Sequence, residues 1–354
     1  MPRLLLLLTG GTMLMTPADD GSRPSLDALL PDDASGAEGD GAQSTRLTLA
    51  SDVTSRDLLV EVPSLGRVAD FDTRRLFQMD SANMQPSDWV TIARAVHAEL
   101  PKYDGIVIVH GTDTMAYTAS ALALMLGPLP KPVVLTGSQK PLVDVRTDAR
   151  QNLIDAALVA TLPVPEVCIV SGARALRGVR STKRDAWGFS AFDSPSSTPL
   201  VELGIGVDIA THVRQGAPLV ALDDRLEPRV LAVRVFPGLD PDLVRGALRV
   251  GVRALVLEAY GTGTLPKLGG SLIPALEEAR ERGVPVVVVS QCLRGFVDLG
   301  RYEGGAAAEK AGAISGGEMT VESALAKTMI GLGRYGAGDA LRAYLTANVV
   351  GERD

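Results

Sequence analysis

The apolar positions of this chain fall in short unbroken runs. Residues 4–8, 106–109 and 286–289 are apolar throughout, and 167–171 departs from this only at Ser171. Runs of this length without polar alternation suit parallel strands covered on both faces. Segments with helical periodicity lie between them. The spacing predicts a helix over 86–100, with Ser87 as N-cap and Asp88 in its first turn. It predicts further helices over 115–125 and 148–160, and strands over 107–109, 132–136 and 167–171. The pattern is interrupted by a Pro/Ser-rich break at 194–199 and by an irregular charged stretch over 211–228. It then resumes with strands over 230–235, 254–257 and 284–289 and helices over 241–250, 272–282 and 321–330. Such alternation implies an α/β protein of two domains. The larger, N-terminal one (1–205) is a doubly wound, mostly parallel sheet. A linker (206–228) joins it to a smaller C-terminal α/β domain (229–354).

Composition narrows this. Hydrophobic residues make up 46% of the 354 positions and aromatics only 4%, so the cores must be aliphatic. The formal charge of −7 is concentrated, because the stretch from Asp19 to Asp40 alone contributes −6. That stretch belongs to a segment of about 17–51 rich in Asp, Gly, Ser, Ala and Pro, which reads as a mobile acidic loop. The remainder is close to neutral, so no basic field favours nucleic acid or an anionic membrane. No run approaches the roughly 18–20 apolar residues of a membrane span. Leu4 to Leu8 behind Arg3 is too short for a signal-peptide core and reads as the first strand. Cys168 and Cys292 are expected to be buried, reduced thiols of a cytoplasmic protein. His97, His110 and His212 are too scattered to suggest a metal site.

Two hydroxyl- and glycine-rich turns follow buried strands: Thr9-Gly10-Gly11-Thr12, and His110-Gly111-Thr112-Asp113-Thr114. Ligands of parallel sheets sit outside the carboxyl ends of the strands, where these turns fall. A neutral threonine is a weak nucleophile and needs both a base and an exposing geometry. Arg180-Ser181-Thr182-Lys183 offers a lysine as that base, and Asp80-Ser81-Ala82-Asn83-Met84 adds a polar turn. Spacing alone leaves open whether these segments converge or are ordinary strand-end turns. Gly10-Gly11 lacks the spacing of a phosphate-binding loop, which argues against a nucleotide-binding module.

Taken together and in order, these segments resemble the signature motifs of bacterial-type L-asparaginases. The likeness continues through Thr136-Gly137-Ser138-Gln139-Lys140-Pro141, Val235-Phe236-Pro237-Gly238, Ala259-Tyr260-Gly261-Thr262-Gly263, Ser290-Gln291-Cys292 and Ile314-Ser315-Gly316-Gly317-Glu318-Met319-Thr320. It spans nearly the whole chain and looks closest to the cytoplasmic, type I branch. The resemblance implies an asparagine amidohydrolase that forms an acyl-enzyme on Thr12 and releases ammonia. Thr112, Asp113 and Lys183 would form the second catalytic cluster, with Lys183 the base. Gly11, Asp80, Ser81, Ala82 and Gly111 would bind substrate, with backbone N–H groups of the glycine turns as oxyanion donors. It further implies an amino-acid amide as substrate, no cofactor or metal, and a homodimer or homotetramer. Cys292 would line a regulatory pocket in some relatives, although packing in the core is the expectation here.

Three features depart from the family pattern. The lid of such enzymes usually carries a tyrosine that closes over the nucleophile, yet the first tyrosine here is Tyr103. Ala82 stands where a polar side chain is common, and Thr264 where asparagine is frequent. These differences leave open hydrolysis of glutamine or another amide by the same mechanism, or a catalytically slow amino-acid-binding paralogue. The presence of Thr12, Thr112, Asp113 and Lys183 together argues against the latter.

Overall fold

Leu4 to Leu8 lie on the strand next to one edge of the larger sheet, flanked on both sides and almost fully buried. The computed structural model describes residues 1–17, 47–49 and 55–354. The eight strands of this sheet are ordered Val207–Ile209, Val201–Leu203, Arg174–Arg177, Val167–Ser171, Val133–Thr136, Gly105–Val109, Arg3–Gly10 and Asp70–Met79. The last five run parallel, with Leu6 opposite Val107 on one side and Thr73 on the other. The first three are added antiparallel, beginning with a tight turn at Gly172 and Ala173, both at φ 60°. Positive φ at both positions matches the twist of a two-residue hairpin. The mostly parallel, doubly wound architecture expected from the alternation is present.

Helices cover both faces. Pro86–Glu99 and Met115–Leu126 pack on one, and Ala149–Val159 on the other. The first starts at Pro86 as expected, but its N-cap lies two residues before Ser87. Pro86 takes the first helical position, Gln85 is the N-cap, and the Asp88 carboxylate accepts the Gln85 N–H at 2.8 Å. Ser87 therefore lies inside the first turn. Met115–Leu126 is apolar nearly all round because it is enclosed between the sheet and the helix Val321–Tyr335 of the second domain.

The second domain has a four-stranded parallel sheet in sequence order: Val230–Arg234, Ala254–Ala259, Val286–Ser290 and Ile314–Ser315. Pro241–Arg249, Ile273–Glu281, Glu303–Lys310, Val321–Tyr335 and Asp339–Thr346 are its helices. The expected linker at 206–228 begins with the strand Val207–Ile209, which pairs into the large sheet; regular structure is absent only over 210–229. The two domains share a core, since Ala326, Ile330 and Val350 join the cluster built on the first sheet.

Most of the acidic loop lies outside the described residues. Its two ends are joined, however, because Met15–Pro17 pairs antiparallel with Leu47–Leu49. Among the described residues no helix is long and apolar enough to cross a membrane.

Candidate active site

The order of the strands reverses at the first one, which makes its end a topological switch point. From Arg3–Gly10 the chain crosses to Asp70–Met79 on one side, then to Gly105–Val109 on the other. Such a reversal splays the connecting turns and opens a ligand site at the carboxyl ends of the strands. The turns at 10–12, 80–83, 110–114 and 137–139 all leave the sheet at this end. Gly10 and Gly11 have φ of 109° and 88°, a region that L side chains rarely enter. A Cβ on Gly11 would lie 2.5 Å from both Cα and N of Gly111, and one on Gly111 would lie 2.5 Å from Ser81 Oγ. Three turns thus meet with no room for a side chain between them. Thr12 follows directly, half-buried, at the start of the short helical turn Thr12–Leu14.

Lys183 reaches the third of these turns from a later part of the chain. It sits on the two-residue strand Thr182–Lys183, paired antiparallel with Phe192–Asp193. Its Nζ donates to Thr112 Oγ1 at 2.8 Å and to Asp113 Oδ1 at 2.7 Å. The Thr112 hydroxyl donates onward to Gln139 Oε1 at 3.2 Å, which leaves its lone pair for the lysine. Thr112 is buried and Lys183 half-buried, whereas Asp113 faces solvent. The structure therefore brings Thr112, Asp113 and Lys183 into direct contact, and Gly11, Gly111 and Ser81 into another. The Thr112 hydroxyl is thereby held in one orientation, with the lysine as its donor and the amide oxygen as its acceptor.

The remaining site residues support these groups. Asp80 is exposed, and its carboxylate caps the turn by accepting the Ala82 N–H at 3.0 Å. Thr114 Oγ1 donates to Ser81 O at 2.8 Å, tying the second turn to the third. Thr9 Oγ1 donates to Val109 O at 3.0 Å, so its hydroxyl fastens neighbouring strands. Gly11 N donates to Met79 O at 3.2 Å. That N–H is therefore engaged within the fold. His110 is fully buried: Nδ1 donates to Gly111 O at 2.7 Å, and Nε2 lies 3.0 Å from Thr118 Oγ1. Burial pushes its pKa down to about 4, which keeps the ring neutral and structural.

Sequence reasoning gave no role to Gln139, Asp148 or Asn152. Gln139 links Thr112 to the loop beyond Lys183 through Asp185 O and Gly188 O. Asp148 accepts the N–H groups of Gln139 and Lys140, and Asn152 Nδ2 donates to Gly137 O at 3.0 Å. The polar residues at 148 and 152, one helical turn apart and both facing inward, were the available signal. Cys292 corrects an expectation: it is exposed, while Cys168 is buried with its thiol pKa raised by desolvation. Cys292 lines a cavity of about 190 Å³ between the domains, with Arg180, Thr182, Glu258 and Glu322. Among the described residues no cluster of three or more His, Cys, Asp or Glu could hold a metal ion.

Known proteins share this fold. Residues 3–215 match the family model "Asparaginase, N-terminal", and 229–345 match "Glutaminase/Asparaginase C-terminal domain". L-asparaginase 1 of Escherichia coli K12 is 41% identical over 283 residues, covering 77% of this chain and 82% of its own. The crystal structure of L-asparaginase I from Vibrio cholerae superposes with a TM-score of 0.83 at 34% identity, covering 100% of this chain and 99% of that one. The thermostable L-asparaginase from Thermococcus kodakarensis gives 0.84 at 34% identity, covering 99% of both chains. The chain is a member of the asparaginase family, a family of amide hydrolases, and is most like its type I branch.

Proposed function

We propose that the chain is an L-asparagine amidohydrolase working through an acyl-enzyme on Thr12. The observation that carries this reading is the contact of Lys183 with Thr112 and Asp113, beside the backbone meeting of Gly11 and Gly111. In this reading Thr12 Oγ1 attacks the side-chain carboxamide carbon. Lys183 accepts a proton from Thr112, whose hydroxyl turns to it from Gln139 and takes up the Thr12 proton, and a proton then passes back to leave on the departing ammonia. Water then attacks the ester, which restores the Thr12 hydroxyl and frees L-aspartate. Asp113 orients Lys183 and attracts the substrate ammonium. The Ser81 hydroxyl, beside Gly111, serves the α-carboxylate. Asp80 and Ala82 shape that end of the pocket.

The test is ammonia release from purified protein with asparagine, alongside Thr12→Ala. The variant is expected to stay folded and to lose about a thousandfold or more of kcat. Undiminished turnover in Thr12→Ala would remove the nucleophile from the reading. A second reading, hydrolysis of glutamine or another amide by the same steps, is favoured by the methyl of Ala82 and the lack of any tyrosine between 13 and 50. Comparing kcat/KM for asparagine and glutamine in one preparation separates the two. The same reading places the enzyme in the cytoplasm as a homodimer or homotetramer. The exposed Ile205, Val207 and Ile209 at the sheet edge support assembly, which sedimentation would measure.

A further inference from the structure

Lys183 is the third residue after Arg180, and Arg180 is held by a distant part of the chain. The guanidinium is almost wholly buried. Its Nε donates to Gly351 O at 2.7 Å, and Nη2 donates to Asp354 Oδ1 at 2.7 Å. Between the arginine and the lysine, Ser181 Oγ donates to Arg177 O at 2.8 Å, and Thr182 Oγ1 donates to Glu322 Oε1 at 2.7 Å. The segment that meets Arg180 is itself fixed. Glu352 is fully buried against Lys327, and its carboxylate accepts the N–H groups of Val349 and Val350. Gly351 N donates to Asn348 Oδ1 at 2.8 Å, and Arg214 Nη2 donates to Val349 O at 3.2 Å. Gly351 has φ 94°, and a Cβ there would stand 3.0 Å from the Arg177 side chain. Residues 348–354 therefore form a rigid strap from the second domain under the chain that leads into Lys183.

We propose that Arg180, gripped by this strap, is a positioning residue that sets where the Lys183 amine stands relative to Thr112 and Asp113. This rests on the reading of Lys183 as the base. A buried guanidinium with two charge-assisted or carbonyl contacts fixes both the height and the rotation of the turn Gly178–Arg180. The strand Thr182–Lys183 has only two residues with which to resist displacement. Misplacement of a catalytic group by about 1 Å can cost about a hundredfold in rate.

Arg180→Met in the full chain tests this, read at a temperature well below its unfolding midpoint. The expected result is a fall in kcat of about tenfold or more, a KM within about twofold, and a displaced pH profile of kcat. Arg180→Lys keeps one donor for Gly351 O and is expected to restore part of the loss. If kcat and its pH profile stay unchanged while only the melting temperature falls, the strap is structural and the proposal is overturned. Should Arg180→Met fail to fold, Gly351→Ala displaces the strap more gently and is expected to lower kcat in the same way; unchanged kcat there overturns the proposal equally. Hydrogen exchange over 181–184 separates this inference from the assignment of the base. Faster exchange in Arg180→Met supports the strap even if no amide is hydrolysed by the parent protein, and unchanged exchange sinks it.

Discussion

His110 holds its place by staying uncharged. The ring donates to Gly111 O, accepts from Thr118, and is closed off from water on every side. Charging it would place a second proton where Thr118 must then offer an oxygen, with no solvent to share the cost. The consequence for stability has a definite sign. The folded-state pKa of about 4 lies below the ordinary value of 6.5, so below pH 6.5 the unfolded chain takes up a proton that the folded chain refuses. The stabilisation is present in full above 6.5 and is lost as pH falls toward 4, amounting to about 3 kcal/mol. Denaturant titrations across that window should show the loss in the parent and a flatter profile in His110→Gln, whatever the latter's absolute stability. Identical pH profiles would mean that other groups set the acid limb.

At the scale of elements, the site is made by glycine turns that permit backbone to touch backbone. Gly11→Ala would combine a strained φ of 88° with a methyl 2.5 Å from two backbone atoms of Gly111, none of which belongs to a flexible side chain. A cost of about 2–4 kcal/mol is expected from strain and forced movement together, with ammonia release largely lost. Gly204→Ala is the control, since nothing lies within 4 Å of its Cβ position. It should leave both the melting temperature and turnover near the parent values. The strands that end in these turns were legible in the sequence, because burial on both faces leaves an unbroken apolar run, as in residues 4–8 and 105–109. Asp70–Met79 was not. It is the edge strand, partly exposed along its length and carrying Asp72, Arg74 and Arg75, as edges that must resist pairing often do. The antiparallel strands Val201–Leu203 and Val207–Ile209 were too short to leave a period. Motif order pointed to the convergence of Thr112, Asp113 and Lys183, whereas Gln139 and Asn152 act through contacts fixed only by the tertiary fold.

At the scale of the molecule, the two domains are joined by more than a linker. Helix Val321–Tyr335 contributes Ala326 and Ile330 to the first domain's core on one face. On another, it presents Lys327 to Glu352, both fully buried. Burial alone would raise the Glu352 pKa, but the lysine and the Val349 and Val350 N–H groups outweigh it and hold the carboxylate low. Lys327 also donates to the carbonyls of Leu345 and Ala347, so one ammonium gathers the end of the second domain. Lys327→Met would leave Glu352 buried without its cation, at a cost of about 3–5 kcal/mol. The location of the tryptophans makes the outcome readable. Trp89 and Trp187 are the only two in the chain, and both lie in the first domain. Tryptophan emission therefore follows that domain, while far-ultraviolet circular dichroism follows both. In the parent the two thermal curves should coincide, because the shared core makes the domains one cooperative unit. In Lys327→Met the dichroism should begin to fall at a lower temperature than the emission, as the second domain opens first. Curves that already separate in the parent would show that the shared core does not couple the domains. Curves that move together in the variant would show that the coupling survives loss of the buried pair.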